Sequence, residues 1–248
     1  MLSRVLTRTV KAVPTMTRNL HFRKSGIYTK TGDKGSSSLY NGERRKKYDD
    51  VFQALGNTDE LNSFTGFARG YAEASNNGLA PKLIEVFFLK FLHYQQIQSR
   101  LFDLGAAIAT PPKRSSSNKV EKTKFPEDNI TTLEKWIDEL DSQLPPLKTF
   151  TIPTSAPGGA SLQMCRSICR RAERSVVPLV ERDEVDSAVQ RYLNRLSDFF
   201  YVASRWSVEF DKVEEIPWVP HKQFWFVCWT QKKFDLNHER RFLEPGVL

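Results

Sequence analysis

Four arginines lie close together in the segment CRSICRRAERSVVPL. Arg166, Arg170 and Arg174 recur every four residues, so a helix places all three on one face, with Arg171 beside them. Guanidinium groups match the geometry of phosphate oxygens, and one interpretation is therefore a clamp for a polyanion. The alternative is a solvent-facing edge whose mutual repulsion is balanced by neighbouring glutamates. The pattern alone leaves both interpretations open.

A second candidate site lies near the start of the chain, in the segment TKTGDKGSSS from Thr29 to Ser38. It combines hydroxyl groups and two lysines with glycines, which let backbone N–H groups approach phosphate oxygens. The segment is not a Walker A loop, because the pattern GxxxxGK[ST] is absent. Composition by itself favours the simpler interpretation, an ordinary Gly/Ser turn.

Polar residues also interrupt a long apolar segment near residue 195. Asn194, Arg195 and Asp198 lie within one helical turn of each other, so a helix brings them together in one patch. Such a patch is either a satisfied network between helices or part of a ligand site. A further candidate is Pro157-Gly158-Gly159, since backbone N–H groups at the start of a helix bind anions.

The sequence shows no motif for a catalytic nucleophile or a protein-held metal. Its four histidines share no motif, and HExxH, the nucleophile elbow and paired CxxC motifs are absent. Cys165 and Cys169 are four residues apart, but they have no evident His or Cys partner, so we predict buried core cysteines. Whatever the protein does, no side-chain nucleophile is evident.

Five segments with apolar residues at helical spacing predict the elements that position these groups. The helices are expected from Asp50, over 81–108, over roughly 127–143, from just after Pro157-Gly158-Gly159 to about Glu181, and over about 184–210. Long helices on short connections predict an all-α, antiparallel bundle. Residues 27–49 are Gly- and Ser-rich and predict loop and short extended pieces. Residues 111–126 are charged and of low complexity, which predicts a mobile surface loop.

The net charge of +8 suggests an anionic partner, and its distribution narrows the choice. Six cations and no acid lie within residues 1–26, where apolar residues recur near helical spacing. This start is typical of a mitochondrial transit peptide, with a basic arm for nucleic acid as the alternative. The remainder is near neutral, which argues against a nucleic-acid partner.

Two function classes are excluded by composition. No segment approaches the ~18 consecutive apolar residues of a membrane span, so an integral membrane protein is not expected. Three cysteines are too few for a disulfide scaffold and favour a reducing compartment.

The last forty residues differ from the rest of the chain. Segment 216–232 holds three of the five tryptophans and predicts a strand or an irregular docking tail, to which the sequence assigns no function. The predicted organisation is a transit peptide over residues 1–26, a helical bundle domain over 27–210 and a C-terminal extension over 211–248.

Several long motifs resemble ATP:corrinoid adenosyltransferases of the PduO type. They are IYTKTGDKG followed by GERR, then VFQALGNTDELNS, PGG with a nearby serine, CRSICRRAERSVVPL and YLNRLSDFFY, in the family's order over residues 27–206. The resemblance implies a five-helix, ferritin-like bundle that forms a homotrimer, with ATP and cobalamin at the subunit interfaces. Together with the predicted presequence, the resemblance implies the animal form of the enzyme, located in the mitochondrial matrix. That form supplies adenosylcobalamin to methylmalonyl-CoA mutase and depends on a cobalamin reductase system.

The resemblance also implies roles for individual residues. The family's ATP-binding N-terminal segment is matched by Thr29, Lys30, Thr31, Gly32, Ser37, Ser38 and Lys47. Its ATP-contacting helices are matched by Arg170, Arg171, Ala172, Glu173, Arg174 and Asn194. Asp59 and Arg166 match an acid–arginine pair that crosses the subunit interface. Phe150 matches the aromatic that excludes the lower axial ligand of the corrinoid, and it is expected to serve catalysis with Arg170, Arg174 and Asn194.

The implied reaction needs no protein nucleophile. The cobalt of cob(I)alamin attacks C5′ of ATP and expels triphosphate, so the cofactor carries the difficult step. The protein is expected to hold the reactants in line, to neutralise triphosphate with Mg²⁺ and arginines, and to keep the corrinoid dry. The chain also lacks the DxHxxG motif of proteins that ligate cobalt through histidine, which agrees with a base-off corrinoid facing Phe150.

The resemblance leaves one alternative function open, a cobalamin-binding escort that delivers adenosylcobalamin to the mutase. Intact arginine clamps favour catalysis, since a carrier does not need them. The chain also departs from the family at two places. Ala156 and Pro157 stand where the family has a tighter Ser/Gly turn, and an aromatic extension follows the fifth helix.

Overall fold

A computed structural model gives the fold of most of the chain. It describes residue 28 and residues 30–74, 81–147, 149–153 and 157–220, with the backbone alone for 72–74 and 81–92. The expected transit peptide, Thr29, Ala156 and the extension beyond residue 220 lie outside the described residues.

Five long helices form the body of the molecule, as predicted. They are α1 (Asp50–Ala74), α2 (Pro81–Ile108), α4 (Asp128–Asp141), α5 (Pro157–Glu181) and α6 (Ser187–Phe210). Helix α5 packs against both α1 and α6, while α2 packs on α1 and α4 packs on α6. A link of only five residues joins α5 to α6, so these neighbours run antiparallel. The all-α bundle expected from the sequence is therefore confirmed.

The core lies where the apolar stripes of α5 and α6 meet. Cys165, Cys169 and Ala172 of α5 are fully buried, as are Leu193 and Leu196 of α6. Asp186 immediately precedes α6, and its carboxylate accepts a hydrogen bond of 2.8 Å from the Ala188 N–H and so caps the first turn. None of the helices in the described part of the chain is both long and apolar enough to cross a membrane.

The glycine at the entry to α5 has a packing role. A Cβ atom at Gly158 would lie 2.7 Å from the Ser207 hydroxyl oxygen of α6. Only a residue without a side chain lets the two helices approach this closely without displacing Ser207. The Pro157-Gly158-Gly159 entry, considered above as an anion site, therefore also serves the contact between α5 and α6.

The prediction of a mobile loop over residues 111–126 is wrong. The segment contains a 3₁₀ turn (Pro112–Arg114) and a seven-residue helix, α3 (Ser117–Thr123). Phe125 is 1% exposed and packs edge-on against Tyr192 of α6, with ring centroids 5.0 Å apart. The composition is polar, but this one aromatic anchor fixes the end of the segment on the bundle.

The segment before α1 folds into a short hairpin, which agrees with the predicted extended pieces. Strand β1 (Ser36–Ser38) pairs antiparallel with β2 (Arg44–Lys46), with Ser37 opposite Arg45. The connecting turn uses Gly42 at φ 95°, a conformation that side chains disfavour. The N–H of Tyr40 donates to the carbonyl of Ala109 at 3.1 Å, which places the turn against the end of α2.

A short turn follows α6, and the chain beyond it pairs with the segment between α4 and α5. Pro217 pairs antiparallel with Thr151 in an isolated bridge. Of the segment 216–232, residues 216–220 are described and contain this single bridge, so the interpretation of the whole segment as a strand or an irregular docking tail stays a prediction. The division of the chain into a bundle and an extension stays a prediction.

Candidate active site

Residues 30–47 place the candidate phosphate-binding groups around one glycine. The Lys47 ammonium lies over Gly32, where a Cβ atom would come within 3.0 Å of Nζ. This approach puts a cation directly beside the backbone of Gly32. Ser37 lies half-buried on β1 and Ser38 is exposed at its end. The arrangement suits an anion bound by ammonium, hydroxyl and backbone N–H groups.

Arg44 organises the same segment and was not among the predicted site residues. Its guanidinium donates to the carbonyl of Thr31 at 3.0 Å and to the carbonyl and hydroxyl of Ser36 at 3.2 and 3.0 Å. It also donates to the Ser38 hydroxyl at 3.2 Å. These bonds fold the Thr31–Ser38 segment back onto β2. The GERR motif contained this residue, but nothing in the sequence distinguished its role from that of its neighbours.

Arg45 fastens the hairpin to the link between α5 and α6. Its side chain is 9% exposed and meets Glu184 at 2.8 Å, Glu43 at 3.1 Å and Asp49 at 3.4 Å. A hydrogen bond from Arg45, and then Arg114, holds the pKa of Glu43 below its ordinary value. Burial raises the pKa of Glu184, but hydrogen bonds from Arg45 and Arg182 outweigh it and the net shift is downward. Both glutamates are thus held in the charged form.

A polar network joins α4, α5 and α6 at the predicted patch. Asn194 donates to Glu173 at 2.9 Å and accepts a hydrogen bond of 2.7 Å from Arg195. Arg195 also donates to Glu134 of α4 at 2.9 Å. Arg171 pairs with Glu60 of α1. The structure thus brings Glu173 and Asn194 together and shows that the patch is a connected network between helices.

The central arginines of α5 point to solvent. Arg170 and Arg174 are both exposed, and neither forms an ion pair with any residue that the structure describes. Because they are one helical turn apart, their guanidinium groups face the same volume outside the bundle. Two uncompensated cations beside the network through Glu173 and Asn194 can bind a polyanion.

The remaining predicted residues lie on other surfaces. Asp59 is exposed on α1, at a cleft of about 330 Å³ between α1 and α2 that Asn62 and Phe102 also line. The guanidinium carbon of Arg166 lies 5.4 Å from the centre of the Tyr201 ring. Asp59 and Arg166 form no ion pair with each other within the described chain. Their expected pairing across a subunit interface stays a prediction.

Phe150 lies on the non-helical strand between α4 and α5 and is 77% exposed. Its carbonyl accepts a hydrogen bond of 2.7 Å from the N–H of Trp218. A ring this exposed is free to contact an apolar ligand or partner.

The two cysteines of α5 are inert core residues, as predicted. Both are fully buried, and the Cys169 thiol donates to the carbonyl of Leu193 at 3.1 Å. Burial raises the pKa of Cys165 to about 12 and also raises the pKa of Cys169 well above its ordinary value. Neither thiol therefore supplies a thiolate nucleophile near neutral pH.

Comparison with known proteins identifies the class to which this site belongs. Residues 27–207 match the family model described as cobalamin adenosyltransferase. The corrinoid adenosyltransferases MMAB of Mus musculus and Homo sapiens are each 45% identical over 181 residues, which cover 73% of this chain and 72% and 68% of theirs. The corrinoid adenosyltransferase of Bacillus subtilis is 38% identical over 180 residues, 72% of this chain and 84% of its own.

Solved structures agree in fold. A phenylalanine-to-alanine variant of the PduO-type ATP:corrinoid adenosyltransferase from Lactobacillus reuteri, complexed with cobalamin and ATP, superposes with a TM-score of 0.66 and 29% identity. The match covers 79% of this chain and 100% of that one. An arginine-to-lysine variant of the same enzyme with ATP gives a TM-score of 0.65 and 30% identity, covering 78% and 100% of the two chains. The chain belongs to the cobalamin adenosyltransferase family.

Proposed function

We propose that the protein is an ATP:corrinoid adenosyltransferase that transfers the 5′-deoxyadenosyl group of ATP to the cobalt of cob(I)alamin. The products are adenosylcobalamin and triphosphate. The observation that carries this proposal is a pair of exposed arginines on α5, Arg170 and Arg174, which form no ion pair with any residue that the structure describes. They lie in a chain that belongs to the family. These arginines provide the positive charge that a leaving triphosphate requires.

The substrates supply the reacting atoms in this reaction. The electron pair of cob(I)alamin cobalt forms the Co–C5′ bond, the C5′–O bond breaks, and its electron pair leaves on triphosphate. No proton transfer is required, which agrees with the inert, buried state of Cys165 and Cys169. The protein contributes position and electrostatic stabilisation.

We assign the nucleotide to two groups of side chains. The first group offers ammonium, hydroxyl and backbone N–H donors. It consists of Lys30, Thr31, Gly32, Ser37, Ser38 and Lys47. The helix group adds Arg170, Arg171, Glu173, Arg174 and Asn194. Arg171 and Asn194 are held by Glu60 and Glu173, so they are oriented before any ligand arrives. Thr29 completes the proposed set from outside the described residues.

Mg²⁺ is expected to enter with ATP. Among the residues that the structure describes, no group of three or more His, Cys, Asp or Glu side chains is arranged to hold a metal ion.

Phe150 is proposed to face the lower side of the corrinoid. Its ring is exposed and apolar, and it presents no ligand atom to cobalt. A corrinoid bound against it loses its lower nitrogen ligand, and exclusion of water there protects the reactive cob(I)alamin.

Several finer points extend this proposal. We propose a homotrimer in which Asp59 and Arg166 pair across the subunit interface. The acid-free, amphipathic residues 1–26 support import into the mitochondrial matrix as a transit peptide. Methylmalonyl-CoA mutase is the proposed recipient of the product, and a cobalamin reductase system is the proposed source of reduced substrate.

A direct assay tests the function. The protein is incubated with ATP, Mg²⁺ and chemically reduced cob(I)alamin, while the visible spectrum and the release of triphosphate are followed. We expect a spectral shift to the alkylcobalamin and one triphosphate per turnover. Absence of both signals refutes the enzyme. Tight binding of adenosylcobalamin without turnover would instead support the escort function, which is the second candidate.

A further inference from the structure

The Phe150 segment is held by the chain that follows α6. The N–H of Trp218 donates to the carbonyl of Phe150 at 2.7 Å, and the N–H of Ile152 donates to the carbonyl of Ile216 at 2.8 Å. The two bonds flank the antiparallel pair of Thr151 and Pro217. Residues 150–152 are not part of a longer strand, so these bonds are the ladder that fixes their backbone.

The register of this ladder sets the direction of the Phe150 ring. In an antiparallel pair opposite residues share a face, as do residues two apart on one strand. Phe150 therefore shares a face with Trp218, Ile152 and Ile216. The exposed fractions agree, since these side chains are 77%, 56%, 46% and 50% exposed. Phe150 is thus part of an apolar face formed by two short segments, residues 150–152 before α5 and residues 216–218 after α6.

A buried arginine fastens both strands to α6. Arg205 is 6% exposed and donates to the carbonyl of Pro145 at 2.9 Å and to the carboxylate of Glu215 at 3.1 Å. Pro145 precedes the Phe150 strand, and Glu215 immediately precedes its partner. The adjacent Trp206 donates from its indole nitrogen to Gln143 at 3.2 Å. One turn of α6 therefore sets the position of both chains that enter the ladder.

We propose that residues 215–218 form a positioning strand for Phe150, anchored by Arg205, and that it serves the corrinoid half of the reaction. This inference rests on the proposed function, in which Phe150 faces the corrinoid. A single exposed ring on an unsupported loop samples many positions, and small misplacements of a reacting group are costly in rate. The positioning strand limits those positions through backbone hydrogen bonds, with Trp218 and Glu215 acting as positioning residues.

Proline substitution separates the backbone bond from the side chain. Trp218→Pro removes the N–H that donates to Phe150, while Trp218→Ala keeps it. The matched control is Val219→Pro, because the N–H of Val219 donates to no acceptor among the described residues. Each variant is assayed as full chain, with cob(I)alamin and ATP varied in turn and the binding of ATP measured separately.

We expect Trp218→Pro to lower kcat about tenfold with the KM for ATP within about twofold of the wild type. Val219→Pro should match the wild type, and Trp218→Ala should fall between the two. In Trp218→Pro alone, the visible spectrum of bound cob(II)alamin should also shift toward that of the form that retains its lower ligand. A general loss of structure would instead change the kinetic parameters for both ATP and cob(I)alamin, and it would not change this spectrum selectively.

A second variant keeps the test independent of folding in the first. Glu215→Ala removes the acceptor for Arg205 without altering the ladder, and we expect kcat to fall about threefold at unchanged KM for ATP. If Trp218→Pro equals Val219→Pro and Glu215→Ala equals the wild type, the positioning strand is refuted while the enzyme stands. If the wild type itself produces no adenosylcobalamin, the proposed function fails.

Discussion

The hairpin before α1 and the Phe150 segment are both non-helical chains fastened to the bundle by an arginine, but the two attachments differ in kind. Arg45 meets three carboxylates, from Glu43, Asp49 and Glu184, and binds the hairpin through charge. Arg205 meets one carboxylate and one carbonyl, and the attachment is completed by the Trp206–Gln143 hydrogen bond and by backbone pairing. The proposed nucleotide end is therefore rich in ion pairs, whereas the proposed corrinoid end presents an apolar face on a short ladder.

This difference matches the ligands proposed for the two ends. A triphosphate requires preoriented cations, and a charge network supplies orientation at the nucleotide end. A corrin ring requires a dry apolar surface, and a backbone ladder holds such a surface without bringing polar side chains to it. The following predictions test whether the two attachments are separable, from the largest expected effect to the smallest.

Arg45→Ala should have the largest effect on stability. Removal of the guanidinium leaves Glu43, Asp49 and Glu184 without their shared partner in a largely buried position. We expect a loss of about 2–3 kcal/mol in the free energy of unfolding, measured with urea. The matched control is Arg182→Ala in the same network. The Arg182 side chain is 44% exposed, so its removal should lower the free energy of unfolding by only about 0.5–1 kcal/mol. Equal losses in the two variants would contradict a special role for Arg45.

Arg170→Ala should act on the nucleotide end alone. Because its exposed guanidinium is proposed to bind triphosphate, its loss should raise the KM for ATP or lower kcat at least tenfold, ~1.4 kcal/mol in transition-state stabilisation. The affinity for cobalamin should not change. Steady-state kinetics with each substrate varied provide the measurement, with Lys122→Ala on α3 as an exposed-cation control. Wild-type kinetics would mean that the clamp is misplaced.

Phe150→Ala should show the opposite kinetic pattern. The ring is 77% exposed, so its removal leaves the fold intact and affects only what binds against it. We expect turnover to fall about fivefold, ~1 kcal/mol, with little change in the affinity for ATP. Tyr40→Ala removes another exposed aromatic, 52% exposed at the hairpin turn, and should keep the wild-type turnover. Normal turnover in Phe150→Ala would refute its role at the corrinoid.

Acid should loosen the hairpin attachment. The pKa values of Glu43 and Glu184 lie below their ordinary value of 4.5 in the folded chain. Their contribution to stability is therefore complete above the unfolded pKa and is lost as pH falls through the lowered folded values. The free energy of unfolding should decrease on going from about pH 6 to about pH 3, and Arg45→Ala should reduce that dependence. Parallel pH profiles for the wild type and Arg45→Ala would show that other carboxylates dominate.

The smallest effect is expected at a surface pair between the 3₁₀ turn after α2 and the link between α5 and α6. Lys113 donates to Asp183 at 2.9 Å, but the two side chains are 64% and 76% exposed. Solvent screens such a pair, so Lys113→Ala should cost less than about 0.5 kcal/mol of unfolding free energy. A loss comparable to that of Arg45→Ala would show that burial does not decide the strength of these attachments.

Local sequence patterns were sufficient to predict the helices. The apolar spacing and the prolines predicted α2 over 81–108, and this helix is observed with these bounds. A further helix was predicted to start after Pro157-Gly158-Gly159 and to end near Glu181, whereas α5 already begins at Pro157. The pattern failed over 111–126, because the anchor at Phe125 depends on Tyr192 in a distant helix. Candidate residues on one helix face were also predictable, since their spacing places Arg170 and Arg174 together.

The sequence by itself determined the bundle, the buried cysteines and the family motifs, because helical period and residue type are local properties. Only the tertiary structure decided which arginines fasten the two non-helical segments. Arg45 meets Glu184 across 139 positions, and Arg205 meets Pro145 across 60. Pairings between such distant residues carry no local spacing signal, and the chain contains 37 cations and 29 acids from which to choose. Buried guanidinium groups must be paired, so burial decides which contacts Arg45 and Arg205 make, and a side chain becomes buried only once the helices have packed.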